Sequence, residues 1–201
     1  MLSNVILGSA SPRRQELIQL LDISPVILPA TGEEKRTTDD PEKLVESLAV
    51  QKAESVAAGL FFAEEEAQRA AFSGKELVIG ADTMVACEGK VLGKPKTHAE
   101  AADMIRLLQG RSHQVYTGVA VIGADGRRKS FVERTDVRVA PMTEAEILLY
   151  AESEHPMDKA GAYGIQGPFA VFVEGLDGDY YNVMGLPVHR LYKVLQEMQQ
   201  G

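Results

Sequence analysis

The sequence has no tryptophan and a single cysteine, Cys87, among its 201 residues. One cysteine excludes an intramolecular disulfide and a zinc site built on several thiolates. Acidic residues outnumber basic ones, 29 to 21, so a broad electrostatic attraction to nucleic acid or anionic lipid is not expected. The chain lacks both a basic leader and an apolar run long enough for a bilayer, which predicts a cytoplasmic protein without a membrane partner.

The composition is that of a globular protein, with 45% hydrophobic and 25% charged residues. No repeat or linker interrupts it, so we expect one domain covering residues 1–201. Mixed strand and helix patterns predict an α/β or α+β fold with a mixed sheet and flanking helices. The predicted strands include Asn4–Leu7, Leu77–Ile79 and Phe169–Val173, and a hairpin is predicted over Met84–Leu92. Phe61 to Gly74 is acidic and alanine-rich, and no chemistry is assigned to it.

A strand-to-helix turn near the start of the chain, Gly8 to Arg14, carries the strongest local signal. Small residues, including Ser9, allow the backbone to approach a ligand, and the N–H groups of a helix N-terminus favour phosphate. Arg13 and Arg14 on the first helical turn add charge-assisted contacts. The alternative is a plain capped helix with solvated arginines. The turn is not a P-loop, because its glycine and lysine pattern is absent.

Lys52 lies on the apolar face of a predicted helix, four residues after Leu48 and four before Val56. A lysine there either extends its ammonium to the surface or faces a cleft that binds an anion. The spacing does not decide between these two interpretations.

Other candidate residues have weaker individual signals. Asp82 follows the predicted Leu77–Ile79 strand, where a catalytic carboxylate or a simple turn aspartate would stand. Glu33 and Glu34 occupy a polar loop that could equally be solvated, and Lys94 leaves the predicted hairpin in an extended, exposed segment. Hard divalent cations take oxygen ligands, so Glu33 and Asp82 are the candidate metal ligands.

The segment from Asp158 to Gly167 interleaves three glycines with Tyr163 and Gln166. Glycine permits close backbone approach, while the tyrosine ring and the glutamine amide could stack on a base and form hydrogen bonds with it. A flexible connecting loop is the alternative. Together, the carboxylates, the cations and this loop match the needs of a nucleoside triphosphate and a divalent metal.

In chain order, several of these segments resemble motifs of the Maf family of nucleotide pyrophosphatases. The resemblance extends from residue 7 to residue 187, and its pieces are Leu7–Arg14, Glu33, the helix around Lys52, Gly80–Thr83, Gly93–Pro95, Asp158–Gly167 and Gly185–Pro187. The Asp158–Gly167 segment is similar to that of the branch acting on dTTP and UTP. The branch acting on 7-methyl-GTP has a different sequence there, and the Phe61–Gly74 stretch is longer than in the family pattern.

The resemblance implies two lobes around a deep cleft, a homodimer and a divalent-metal requirement, Mg²⁺ or Mn²⁺. It implies hydrolysis of dTTP and UTP between the α and β phosphates, with a further expectation that non-standard pyrimidine nucleotides are cleared. Asp82 is expected to be the proton acceptor, and Arg14, Thr83 and Gln166 are expected to influence substrate choice. Glu33, Lys52 and Lys94 are the other expected catalytic residues, and Ser9 and Arg13 are expected to bind substrate.

Two alternatives stay open at this point. One is an enzyme of the same family that acts on a modified purine nucleotide. The other is a nucleotide-binding regulator of septum formation whose hydrolytic activity is incidental.

Overall fold

The computed structural model describes residues 4–61 and 74–200. Within these ranges there are seven strands: β1 Val5–Leu7, β2 Val26–Ile27, β3 Leu77–Cys87, β4 Lys90–Leu92, β5 Ser112–Gly123, β6 Arg128–Val139 and β7 Val173–Asp177. The helices of the described residues are α1 Pro12–Gln19, α2 Pro41–Phe61, α3 His98–Leu108, α4 Glu144–Ala151, α5 Tyr180–Met184 and α6 Val188–Gln200. Two short 3₁₀ turns cover Ala160–Ala162 and Pro168–Phe172.

The strands form one mixed sheet in the order β2-β1-β3-β5-β6-β7, with β4 paired to β3. β1 runs parallel to both β2 and β3, whereas β3–β4 and β6–β7 are antiparallel pairs. The predicted mixed sheet with flanking helices is therefore confirmed. No helix within the two described ranges combines the length and apolar character needed to cross a bilayer.

The contacts divide the chain into two compact units. Unit 1 comprises Met1–Asp82, Thr117–Val132 and Gly185–Gly201, and unit 2 comprises Thr83–Tyr116 and Glu133–Met184. The prediction of a single domain, like that of a deep cleft between two lobes, stays a prediction.

In unit 1, helix α2 packs against the sheet at two glycines. A Cβ on Gly80 in β3 would lie 2.9 Å from the Cβ of Ala53, and one on Gly118 in β5 would lie 2.9 Å from the backbone nitrogen of Glu46. The helix can approach this closely only because both strand positions lack a side chain. The core of unit 1 forms along this contact from Ile6, Ala49, Ala53, Val56, Ala57, Val78, Ala120 and Ile122.

Unit 2 has its own core, in which aromatic rings pack against strand and helix residues. Its buried members include Val85, Ile105, Leu108, Val115, Val137, Tyr150, Tyr163 and Phe169. Cys87 belongs to this core and is 1% exposed. Burial raises the pKa of the Cys87 thiol, the charge of Arg111 lowers it by a smaller amount, and the charge of Glu88 adds slightly to the rise.

Two predicted elements were wrong. The Leu77–Ile79 strand does not end before Asp82, because β3 continues to Cys87 and Asp82 lies in its interior. The small residues Gly80 and Ala81 suggest a turn, but they are buried and allow the strand to pass beneath α2. The predicted Phe169–Val173 strand is instead mostly a 3₁₀ turn that buries Phe169, and β7 begins at Val173.

Two further differences concern the first half of the chain. The sequence Pro12–Asp22 is compatible with a longer helix, but α1 ends at Gln19, and Leu20 is 59% exposed while Ile18 is buried. Most of the Phe61–Gly74 stretch, residues 62–73, lies outside the described residues.

Candidate functional site

The strand-to-helix turn in unit 1 is built around close backbone contact and a buried hydroxyl. The N–H of Gly8 donates to the carbonyl oxygen of Ile79 at 2.7 Å, and a Cβ on Gly8 would lie 3.1 Å from that oxygen. Ser9 is 7% exposed, and its Oγ accepts the backbone N–H of Ser11 at 3.3 Å. The turn therefore leads from β1 into α1 through small residues only, Gly8 to Ser11.

Arg14 is held in place on the first turns of α1. Its Nε donates to the carbonyl oxygen of Gly185 at 2.8 Å, and its Nη1 donates to Ser9 Oγ at 3.3 Å. Burial lowers the pKa of the Arg14 guanidinium, and the carboxylate charge of Asp82 opposes this shift. Arg13 precedes it and is half-buried. A fixed, partly desolvated guanidinium at a helix N-terminus is suited to binding an anion.

Lys52 lies at the centre of the unit 1 site, between two carboxylates. Its Nζ is 2.5 Å from Asp82 Oδ1 and 3.1 Å from Glu34 Oε1. The Lys52 and Asp82 side chains are only 18% and 16% exposed, whereas that of Glu34 is 52% exposed. The close approach of α2 to β3 at Gly80 brings the ammonium to Asp82. The Lys52 ammonium therefore contacts two protein carboxylates, and its binding of an anion in a cleft stays a prediction.

The loop that carries the two glutamates is attached to α2 by side-chain hydrogen bonds. The Gln51 amide accepts the N–H of Lys35 at 2.9 Å and donates to the carbonyl of Lys35 at 3.0 Å. Ser55 Oγ donates to the carbonyl oxygen of Thr31 at 2.7 Å. These contacts fix the backbone on both sides of Glu34. Sequence reasoning missed Gln51 and Ser55 as supporting residues, although both are near Lys52 on the helix.

The loop carboxylate that contacts Lys52 is that of Glu34. The sequence instead predicts its neighbour, Glu33, as a metal ligand. Among the described residues, the ion pairs of Lys52 are those with Asp82 and Glu34. Glu33 is exposed and lines, with Glu34, Gln51, Lys52 and Ser55, a small cavity of about 80 Å³. The role of Glu33 stays a prediction, and the geometry makes Glu34 the stronger candidate for it.

The oxygen chemistry of this site fits a hard divalent cation. The Asp82 and Glu34 carboxylates converge on one ammonium, which marks a position where positive charge is favourable. Within residues 4–61 and 74–200 there is no group of three or more histidine, cysteine, aspartate or glutamate side chains placed for a metal. Mg²⁺ commonly takes one or two carboxylates and completes its coordination with substrate phosphates and water.

Unit 2 carries the other predicted residues. Thr83 is half-buried in β3, whereas Lys94 and Gln166 have exposed side chains. The segment preceding Gln166 is joined to the segment before Lys94, because the N–H of Gly161 donates to the carbonyl oxygen of Gly93 at 3.0 Å. The structure thus links the backbones that carry Lys94 and Gln166 within one unit.

One family model matches nearly the whole described chain, and two curated relatives are similar over almost their full length. The family model described as "Maf-like protein" matches residues 4–198. A dTTP/UTP pyrophosphatase of Agathobacter rectalis is 46% identical over 201 residues, which cover 98% of each chain. A dTTP/UTP pyrophosphatase of Bacillus mycoides is 43% identical over 194 residues, covering 96% of this chain and 94% of the relative.

A solved structure of more distant sequence has a similar fold. The structure of a HAM1 protein from Coxiella burnetii superposes with a TM-score of 0.52 at 17% identity, covering 98% of this chain and 100% of the other. At this identity the likeness concerns the fold alone.

Proposed function

Because the chain belongs to the Maf family, we propose that it hydrolyses dTTP and UTP to the nucleoside monophosphate and pyrophosphate. The observation that carries the chemistry is the Asp82–Lys52–Glu34 arrangement beside the Ser9 and Arg14 turn. The choice of substrate is supported by the two relatives at 43% and 46% identity, which are both named dTTP/UTP pyrophosphatases.

In the proposed reaction, a water oxygen attacks the α-phosphorus while the bond to the oxygen bridging the α and β phosphorus atoms breaks. Asp82 accepts the proton of the water, and pyrophosphate leaves with the electron pair of the broken bond. Lys52 holds the Asp82 carboxylate in place through their 2.5 Å contact. Arg14, oriented by Ser9 and Gly185, stabilises phosphate charge together with Arg13. The catalytic role of Lys94 stays a prediction.

The proposed enzyme uses a divalent cation, Mg²⁺ or Mn²⁺. Asp82 and Glu34 would hold it, with Glu33 as the neighbouring alternative to Glu34. When bound, the cation would neutralise negative charge on the phosphate oxygens. We therefore expect hydrolysis to stop in excess chelator and to return when Mg²⁺ or Mn²⁺ is added.

Base choice is proposed to involve Thr83 and Gln166. The O4 acceptor and N3–H donor of uracil and thymine complement the donor and acceptor of a glutamine amide, whereas cytosine presents the reverse order. The C5 methyl group is worth only about 1–3 kcal/mol, so dTTP and UTP should both be substrates. Discrimination against cytosine requires that the Gln166 amide be held in one orientation when the base is bound.

The decisive experiment is a panel of nucleoside triphosphates incubated with the protein and Mg²⁺ or Mn²⁺, with products separated by ion-exchange chromatography. Pyrophosphate and monophosphate from dTTP and UTP are expected, with little product from CTP. Orthophosphate with a nucleoside diphosphate would refute the assignment, and preference for 7-methyl-GTP would favour the purine alternative. Non-standard pyrimidine triphosphates belong in the same panel, because their clearance is part of the proposal.

We also propose that the protein is a homodimer and is cytoplasmic, and neither proposal affects the proposed reaction. Light scattering coupled to gel filtration measures the mass of the particle against the 21.8 kDa chain. A monomer would contradict the dimer without affecting the proposed reaction.

A further inference from the structure

A buried histidine in unit 2 has no part in the proposed chemistry. His113, the second residue of β5, is fully buried, and its Nε2 lies 2.7 Å from the hydroxyl of Tyr163. Its Nδ1 is buried and has no hydrogen-bond partner among the described residues. Leaving the buried Nδ1 without a partner costs free energy. The hydrogen bond between Nε2 and the Tyr163 hydroxyl is therefore the interaction that favours a histidine at this position.

Tyr163 connects this histidine to the segment that carries Gln166. The Tyr163 ring packs edge-on against His113 with centroids 5.2 Å apart, and it packs against Phe169 at 4.8 Å. Tyr163 and Phe169 are 5% and 0% exposed, and their contact closes a loop formed by residues 164–168. Gln166 lies in the middle of that loop with its side chain exposed.

The chain before Tyr163 is also fixed. Gly161 has φ +68°, and a Cβ there would lie 2.9 Å from Val85 Cγ1. Its N–H is bonded to Gly93, as described above. The loop therefore leaves from a constrained backbone, and its remaining freedom is limited by the two aromatic side chains at its ends.

We propose that His113 and Tyr163 are a positioning pair for base recognition: their hydrogen bond fixes the 164–168 loop so that the Gln166 amide meets the base edge. The inference rests on the proposed function, because it assumes that uracil and thymine are read by Gln166. Neither His113 nor Tyr163 touches the substrate in this proposal. They act through the loop. Loss of their hydrogen bond should therefore lower the UTP-to-CTP ratio of kcat/KM clearly while changing Tm little.

The test compares two tyrosine variants that each lose one hydroxyl from the same aromatic cluster. Tyr163→Phe removes the bond to His113 and keeps the ring on Phe169. Tyr150→Phe is the matched control, since Tyr150 is 7% exposed and packs on Phe169 at 5.0 Å but stands in α4. For both variants, kcat/KM is measured with dTTP, UTP and CTP, together with Tm and the hydrogen exchange of peptides covering 164–168.

Tyr163→Phe is expected to lower the UTP-to-CTP ratio of kcat/KM about 10-fold, the effect of one misaligned hydrogen bond, and to speed exchange in 164–168. Tyr150→Phe should leave both unchanged at a similar Tm. His113→Phe should reproduce the Tyr163→Phe ratio, and the double variant should add little to it.

An unchanged ratio of kcat/KM in Tyr163→Phe and His113→Phe, at whatever Tm these variants show, would reduce the pair to a structural contact and overturn the proposal. Failure of the proposed function is distinguishable, because the wild-type protein would then not release pyrophosphate from dTTP or UTP. In that case the exchange measurement still decides whether the pair holds the loop, and equal exchange in wild type and Tyr163→Phe overturns the inference.

Discussion

Lys52 and Asp82 are separated by 30 residues in the chain, yet Lys52 Nζ and Asp82 Oδ1 are 2.5 Å apart. The contact depends on Gly80, two residues before Asp82, because only a residue without a side chain lets α2 lie on β3 beside Ala53. Packing and chemistry are therefore coupled at this point.

Asp82→Asn is expected to remove most turnover while the fold persists. The amide keeps the size of the side chain and can still accept a hydrogen bond from Lys52, but it cannot accept a proton from water. A loss of at least ~10²-fold in kcat is expected for a positioned base. Steady-state kinetics and Tm are the measurements, and a near-normal kcat at unchanged Tm would exclude Asp82 as the base.

Lys52→Met tests whether the ammonium serves catalysis or only structure. The methionine keeps the apolar length of the side chain but leaves the Asp82 carboxylate, 16% exposed, without its ion pair. We expect a loss of about 1–3 kcal/mol in the free energy of unfolding and at least a ~10-fold fall in kcat/KM. Full activity together with a sharply lowered Tm would support a purely structural role.

Glu34→Gln and Glu33→Gln form a matched pair at adjacent loop positions. Glu34 contacts Lys52 at 3.1 Å, so its loss should lower activity or metal affinity about 10- to 100-fold, whereas Glu33→Gln should have little effect. Activity is measured as a function of Mg²⁺ concentration for both variants. The reverse result would restore Glu33 to the role that the sequence predicts for it.

His113 should make stability depend on pH between about 4 and 6.5. Burial lowers the pKa of His113 to about 4, against a smaller opposing effect from Asp136, so the unfolded chain binds the proton more readily than the folded one. The free energy of unfolding should fall by up to roughly 3 kcal/mol as the pH falls through this window. Urea unfolding at several pH values measures this for the wild type and for His113→Phe, whose free energy of unfolding should fall less steeply with falling pH. The same dependence on pH in both proteins would contradict the prediction.

Gly80→Ala and Gly59→Ala should have opposite effects on stability. Alanine at 80 would collide with α2 and should cost about 1–3 kcal/mol while reducing activity. Gly59 is exposed in α2 with open space around it, so alanine there should stabilise by about 0.5–1 kcal/mol at unchanged activity. Unfolding in denaturant measures both, and a neutral Gly80→Ala would disprove the close-packing argument.

The sequence predicted the elements whose signals are local. The Thr143-to-Glu146 spacing is that of a capping box, and the structure forms it; Asp40 before Pro41 is likewise a helix-start signal, and its carboxylate caps that helix. β2 has only two residues, Val26 and Ile27, and is too short to show any periodicity. Gly80 is a residue type typical of turns, although it lies within β3.

For the candidate site, the residue types were predictable but their pairing was less so. The apolar spacing around Lys52 marked it as unusual, whereas its partners could not be read from that spacing. The choice between Glu33 and Glu34 depends on the Gln51 and Ser55 hydrogen bonds, which join the helix to a loop 16 and 24 residues away. No local pattern in the sequence encodes such contacts.

The single thiol of this chain provides a natural reporter of conformational opening. Cys87 is 1% exposed at the end of β3, so a thiol reagent can reach it only when unit 2 opens around it. Its labelling rate therefore measures the frequency of that opening without any engineered probe. The same measurement with nucleotide present would reveal whether substrate binding protects this part of the molecule.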